Sequence, residues 1–189
     1  MRKLVLKMSI SVDGFVRGRH GEIDWLLRTA DNSTLNWIED TLWQAGLHMG
    51  SKTFHDMAAY WPTSSDQLAA PMNRIPKAVF SKKGFIETAG QPTQALKDAT
   101  KIDEEKGIEK TTASESAATW TKVPVYNDLV SGITQHKQQE GNFILAHGGA
   151  SFARDLVKHG LIDEYRLVTH PVVLAKGLPL FGSAPVKLI

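Results

Sequence analysis

The 189 residues suffice for one domain with a proper core, and 42% apolar with 22% charged residues is ordinary for a globular chain. Its 22 Lys and Arg against 20 Asp and Glu leave a net charge of +2, with no dense basic cluster or basic–aromatic stripe that would point to nucleic acid. The absence of cysteine excludes disulfide scaffolds, thiolate metal sites and cysteine nucleophiles.

At the N-terminus an apolar run, Leu4 to Ile10, is interrupted by Lys7 and followed by no small-residue cleavage site. It reads as a first strand, Lys3 to Ser11, closed by the turn signal Asp13-Gly14, and not as a signal peptide. No segment is long and apolar enough to span a membrane, so a cytoplasmic protein is the expectation. From Asp31 to Ala45 the spacing of Leu35, Ile38, Leu42 and Ala45 predicts a helix, with Asp31 or Ser33 as N-cap and Gly46 at C′. Leu47 to Gly50 predicts a short strand, Thr53 to Tyr60 a helix stopped by Trp61-Pro62, and Ala78 to Ser81 a buried strand. The stretch 84–122 is polar and poor in large apolar residues; it reads as a surface insertion with helical pieces near Thr93–Thr100. Val123 to Tyr126 predicts a strand that Pro124 assigns to an edge, and Asp128 to Gln139 a helix with Leu129, Ile133 and His136 on one face. Phe143 to His147 is a buried strand, Ser151 to His159 a helix ended by Gly160, and Tyr165 to Pro171 and Val172 to Leu174 are β-rich. Strands alternating with helices define an α/β class with a largely parallel sheet, in a single domain over 1–189.

In an open parallel sheet, ligands bind at the carboxyl ends of the strands. Three such ends carry suitable groups: Met49-Gly50-Ser51-Lys52-Thr53, Phe80-Ser81-Lys82-Lys83, and the Gly148-Gly149 turn that opens a helix. Glycines without Cβ let a ligand approach bare N–H groups where the helix dipole favours phosphate. An ordinary strand-to-helix connection explains the Gly pair equally well, and surface charge explains each lysine taken alone. No G-x-G-x-x-G, P-loop, H-E-x-x-H or G-x-S-x-G pattern occurs, which argues against Rossmann, P-loop, zinc and serine-hydrolase sites.

Five motifs in order carry a resemblance: Ser9-Ile10-Ser11-Val12-Asp13-Gly14-Phe15-Val16; Asp24-Trp25; Met49-Gly50-Ser51-Lys52-Thr53-Phe54; Phe143 to Phe152; and Gly160 to Leu167 with His170 to Leu174 and Gly177 to Phe181. The chain resembles the dihydrofolate reductase-like superfamily. It is most similar to the bacterial branch related to the C-terminal reductase domain of bifunctional riboflavin biosynthesis proteins.

The resemblance implies a mainly parallel sheet flanked by helices and NADPH as hydride donor to a C=N or C=O of a heterocyclic substrate. By motif match, Gly50, Ser51, Lys52 and Thr53 would hold the diphosphate and 2′-phosphate side, and Ser81 and Lys82 the adenosine ribose. Gly148, Gly149, Ala150, Ser151 and Phe152 would lie under the diphosphate and nicotinamide ribose, with Asp13 and Gly14 beside the nicotinamide. In related enzymes the Gly-Gly bond is often cis. Asp31 is the nearest match to the carboxylate that assists proton supply, although it also reads as an N-cap. Asp13 also reads as an Asx-turn residue, and Trp25 either walls the substrate pocket or is core.

Two positions depart from the family. Ser51 stands where Arg is common, so a bidentate charged contact to a 2′-phosphate is missing. The chain stops at Ile189, where relatives continue through a further strand pair. The expectation is C-terminal strands that are shortened, and an edge covered by a second copy, since relatives are commonly dimers. The alternative to a reductase is a non-catalytic nucleotide-binding or regulatory protein of the same fold.

Overall fold

The computed structural model describes residues 1–50, 53–82, 92–112, 115–121 and 123–182. Eight strands and seven α-helices are assigned among them, together with two 3₁₀ turns, Trp61–Thr63 and Glu115–Trp120.

The strands β1 (Leu4–Ser11), β3 (Leu47–Gly50), β4 (Lys77–Phe80), β5 (Val125–Tyr126), β6 (Ile144–His147) and β7 (Glu164–His170) form one sheet in the order β5-β4-β3-β6-β1-β7. Every pairing in it is parallel, so all six carboxyl ends lie along one rim. β5 is an edge strand, as Pro124 requires; the Pro124 carbonyl still accepts from Val79 N at 3.0 Å. The other edge is β7. A separate antiparallel pair joins β2 (Phe15–Arg17) to β8 (Leu178–Pro179).

Alternation along β1 sends Leu4, Leu6 and Met8 to one face and Val5, Lys7, Ser9 and Ser11 to the other. The first face packs on α6 (Leu129–Gln138) and α7 (Ala150–Lys158) through Ile133, Phe152, Ala153 and Leu156. The second packs on α2 (Asn32–Trp43), α3 (Phe54–Tyr60) and α4 (Ala69–Arg74) through Ile38, Leu42, Phe54 and Met72. Asp31 caps α2, Asp128 caps α6, and the left-handed Gly160 follows α7. Gly46 keeps an ordinary φ, because α2 already ends at Gln44.

Three expectations are corrected. Val172 to Leu174 is not a strand but a loop, tied to β1 by Val12 N donating to Val172 O at 2.9 Å. The short helix α1 (Asp24–Thr29) carries no periodic signal and was not foreseen. The polar stretch after β4 contains α5 (Gln94–Lys106), a longer helix than expected, capped by Thr93 and closed by the left-handed Gly107. Beyond it Trp120 enters the core against Phe54, and its indole N–H donates to Asn73 Oδ1 at 2.7 Å. Lys77 clamps the same segment: its ammonium donates to Ile75 O and to Thr119 Oγ1 (2.8 Å) and lies 4.2 Å from the Trp120 ring centre. The last seven residues, and with them the expected C-terminal strand, lie outside the described residues.

Trp120→Ala is expected to cost about 3–5 kcal/mol, the range for a large aromatic removed from a packed core. Urea denaturation reads this directly; an unchanged midpoint would show that the 115–120 segment contributes nothing to the core.

Candidate active site

The carboxyl rim of the sheet has a polar centre on the face shared by Lys7. The Cα of Lys7 pairs with His147 on one side and Arg166 on the other, and Ser11 pairs with His170. Lys7 is only 7% exposed and has no carboxylate partner among the described residues. Burial alone pushes its ammonium down to about 8.

His170 closes this centre on the β7 side. It is 3% exposed, and the ring of Trp25 meets it edge-on at 5.4 Å. Thr29 Oγ1 donates to Trp25 O at 2.7 Å, within α1, so its oxygen is left to accept from His170 Nδ1–H, also at 2.7 Å. That fixes the tautomer: Nε2 presents a bare lone pair, buried and without a partner among the described residues. Burial first, and then the Lys7 charge, push the imidazole below its ordinary value and keep it neutral at pH 7.

On the β6 side, Gly148 and Gly149 both adopt left-handed backbone, φ 78° and 76°, and Gly149 is the N-cap of α7 with no side chain capping the helix. A Cβ at 148 would come within 2.6 Å of Met57 Cε, and one at 149 within 3.3 Å of Thr53 Oγ1, so neither position tolerates a side chain without movement. Thr53 Oγ1 itself is buried without a partner among the described residues. Bare helix N–H groups, two obligatory glycines and an orphaned hydroxyl form a cradle that fits a phosphate-bearing ligand. There is no cis peptide bond among the described residues, the Gly148–Gly149 bond included.

The remaining sequence-derived residues divide. Gly50 ends β3 in a buried position before α3, whereas Ser51 and Lys52 lie outside the described residues. Ser81 follows β4 and donates its N–H to Tyr126 O at 2.9 Å. Lys82 is 73% exposed and reaches Asp155 of α7 at 3.9 Å. Gly14 occupies an open turn with φ 82°. Ala150 is half-buried and Ser151 exposed in the first turn of α7. The Phe152 ring turns away from the rim into the core, stacked 5.7 Å from Phe80, so only its backbone can serve a ligand.

Of the two carboxylates expected to act in catalysis, Asp31 lies apart from the polar centre and Asp13 touches it only through Ser11. Asp31 is exposed and spent on the N-cap of α2, accepting from Thr34 N (2.8 Å) and Ser33 Oγ (3.0 Å), which holds it below the usual carboxylate range. Asp13 accepts from Ser11 Oγ (2.6 Å), Leu174 N (3.2 Å) and Ala175 N (2.7 Å), and these bonds, the serine first, lower its pKa. It staples the β1–β2 turn to the loop after β7. Sequence reasoning missed Lys7 and Thr29 as site residues. Lys7 did leave a signal, a charge inside an apolar strand; Thr29 left none.

This arrangement is that of a dihydrofolate reductase-like domain. The chain belongs to the RibD C-terminal domain family, whose model matches residues 2–188. YyaP, a protein of uncharacterized function from Bacillus subtilis (strain 168), is 28% identical over 183 residues, 95% of this chain and 80% of that protein. The fold matches a crystal structure from Shewanella sp. PV-4 provisionally assigned to riboflavin biosynthesis, with TM-score 0.64 and 18% identity over 99% of this chain and 87% of that one. It also matches the diaminohydroxyphosphoribosylaminopyrimidine deaminase/5-amino-6-(5-phosphoribosylamino)uracil reductase of Thermotoga maritima, with TM-score 0.57 and 14% identity over 95% of this chain and 48% of that one. No helix of the described residues is long and apolar enough to cross a membrane, and no cluster among them could hold a metal ion.

The lowered Lys7 value has a testable consequence for stability. Below pH 8 both folded and unfolded chains carry the proton, and the full cost of burying the charge is present. Between about 8 and 10.5 the unfolded chain binds more protons, so stability rises with pH. Lys7→Met is therefore expected to be the more stable protein at pH 7, by up to about 3 kcal/mol, with the difference shrinking by pH 10.5. Urea denaturation of both proteins across this range checks it; a difference independent of pH would contradict the buried charge.

Proposed function

We propose that the chain is an NADPH-dependent reductase that delivers hydride to a C=N or C=O of a pyrimidine- or pterin-like heterocycle. The observation that carries this reading is a buried Lys7, with no carboxylate partner among the described residues, in register with His147 immediately before the Gly148–Gly149 cradle. The reductase named among the structural matches supports it.

Gly148, Gly149 and the first N–H groups of α7 would hold the diphosphate side of the cofactor, with the Thr53 hydroxyl beside them. Gly50, Ser51, Lys52, Ser81 and Lys82 keep the cofactor-binding roles that the motifs suggest. NADPH, when bound, supplies the hydride. The protein aligns the two rings and excludes water, with Trp25 held as a wall by its contacts to His170.

When hydride adds to the carbon of a C=N or C=O bond, the electron pair moves to the heteroatom, which then takes a proton. Lys7 Nζ, protonated below about pH 8, is the donor on this face. His170 Nε2 supplies an acceptor for a ring N–H of the substrate.

Quenching of the five tryptophans gives the binding test. NADPH is expected to bind saturably, and Gly149→Val, which forces a β-branched residue into left-handed backbone, to bind at least about tenfold more weakly. Binding unaffected by that change would remove the cradle from the account. In NADPH oxidation with 7,8-dihydropterin substrates, Lys7→Met is expected to retain NADPH affinity and lose about 100-fold or more in kcat. An unchanged kcat would exclude Lys7 as proton donor.

A further inference from the structure

A polar junction that takes no part in the proposed chemistry lies in the core against α3. Asn73 of α4 is buried, and three of its atoms are hydrogen-bonded. Its Nδ2 donates to Trp61 O at 3.0 Å, its Oδ1 accepts from Trp120 Nε1 at 2.7 Å, and its main-chain carbonyl accepts from Thr119 Oγ1 at 2.6 Å. Thr119 Oγ1 in turn accepts from Lys77 Nζ, whose ammonium faces the Trp120 ring. Buried polar groups paired in this way resist displacement, because movement strands a donor or acceptor away from water.

The junction grips α3 at both ends. Trp61 is the C-cap of α3, and Asn73 holds its carbonyl. At the other end Phe54, the first residue of α3 and itself buried, lies against the Trp120 ring with the centroids 5.5 Å apart. Phe54 also packs beneath the end of β3, where a Cβ at Gly50 would stand 3.7 Å from the Phe54 Cβ. Thr53 immediately precedes Phe54, and Met57 lies one turn further on. These are the two side chains that meet the Gly148–Gly149 turn, Met57 through its Cε at Gly148 and Thr53 through its Oγ1 at Gly149. A contiguous run of packed groups therefore leads from Lys77 and Asn73, through Trp120 and Phe54, to the buried Thr53 hydroxyl, which has no partner among the described residues.

We infer that Asn73, Lys77 and Trp120 are positioning residues for the cofactor: they hold α3 in the placement that sets Thr53 and Met57 against the Gly148–Gly149 turn, and so tune nucleotide affinity without touching the nucleotide. The nucleotide's identity rests on the reductase reading; the hold of the junction on Thr53 and Met57 does not. The 3₁₀ turn Glu115–Trp120, which closes a stretch of otherwise polar composition, thereby acquires a role in binding as well as in the core.

Calorimetric titration with NADPH, on variants that thermal melts show to be folded, reads this directly. Trp120→Leu removes the ring that lies on Phe54 and is expected to weaken NADPH at least about fivefold, whereas Trp120→Phe keeps an aromatic ring there and is expected to stay within about twofold of the wild type. Lys77→Met removes the ammonium that anchors Thr119 and Trp120 but keeps the apolar stem, and is expected to weaken NADPH at least about threefold. It decides the matter if Trp120→Leu does not fold. A role confined to the core would lower the melting temperature and leave the affinity of the folded protein unchanged. Unchanged affinity in folded Trp120→Leu or in Lys77→Met, or equal losses in Trp120→Leu and Trp120→Phe, overturns the inference. Methyl NMR spectra of protein labelled at methionine read the same hold with no nucleotide present. Lys77→Met leaves the Trp120 and Phe54 rings in the chain, and its added methyl is a separate resonance; the Met57 methyl, assigned by Met57→Leu, is expected to shift in it. Failure of the wild type to bind NADPH counts against the reductase reading, while the Met57 resonance still decides the positioning: unmoved in Lys77→Met, it overturns the inference.

Discussion

A lysine ammonium buried on the central face of a sheet, with no carboxylate beside it among the described residues, is the constraint around which this protein is arranged. Burying such a charge opposes folding, and an apolar residue at position 7 would continue the pattern set by Val5. Local rules broken inside an otherwise consistent fold are concentrated at functional sites. The rest of the rim is organised about that charge. His170 is held neutral with its lone pair bare, Trp25 stands over His170, and the Gly148–Gly149 turn leaves room for Thr53 and Met57 at the neighbouring strand end.

The surrounding architecture supplies the rigidity that this centre requires. An all-parallel sheet puts six carboxyl ends on one rim, and helices on both faces bury most of β1, β4 and β6. Lys7 sits between two paired neighbours, β6 and β7, so its backbone is fixed on both sides. The two carboxylates nearest to the site in sequence serve the scaffold instead. Asp31 caps a helix through its Oδ1, and Asp13 staples two loops through both of its carboxylate oxygens.

Much of the fold was legible because buried parallel strands and amphipathic helices write their periods into the chain. Leu35, Ile38 and Leu42 marked α2, and the apolar runs marked β1, β4 and β6. The turn at Gly148–Gly149 was legible too, since left-handed backbone at a helix start demands glycine. The stretch 84–122 misled because two residues, Ile102 and Trp120, suffice to anchor a segment whose composition is otherwise polar. Val172 to Leu174 misled because β-branched composition does not supply a neighbouring strand to pair with. Phe152 misled because helical geometry turns its ring inward while its N–H remains at the rim. The pairing of Thr29 with His170 spans 141 positions and has no local signature at all.

The most direct test of the central claim is a crystal structure of the protein with NADPH. The account predicts the diphosphate against the first N–H groups of α7 at Gly149, Ala150 and Ser151, and the nicotinamide ring on the Lys7 face of the sheet. A nucleotide bound away from this rim, or with its nicotinamide turned from Lys7, would contradict it.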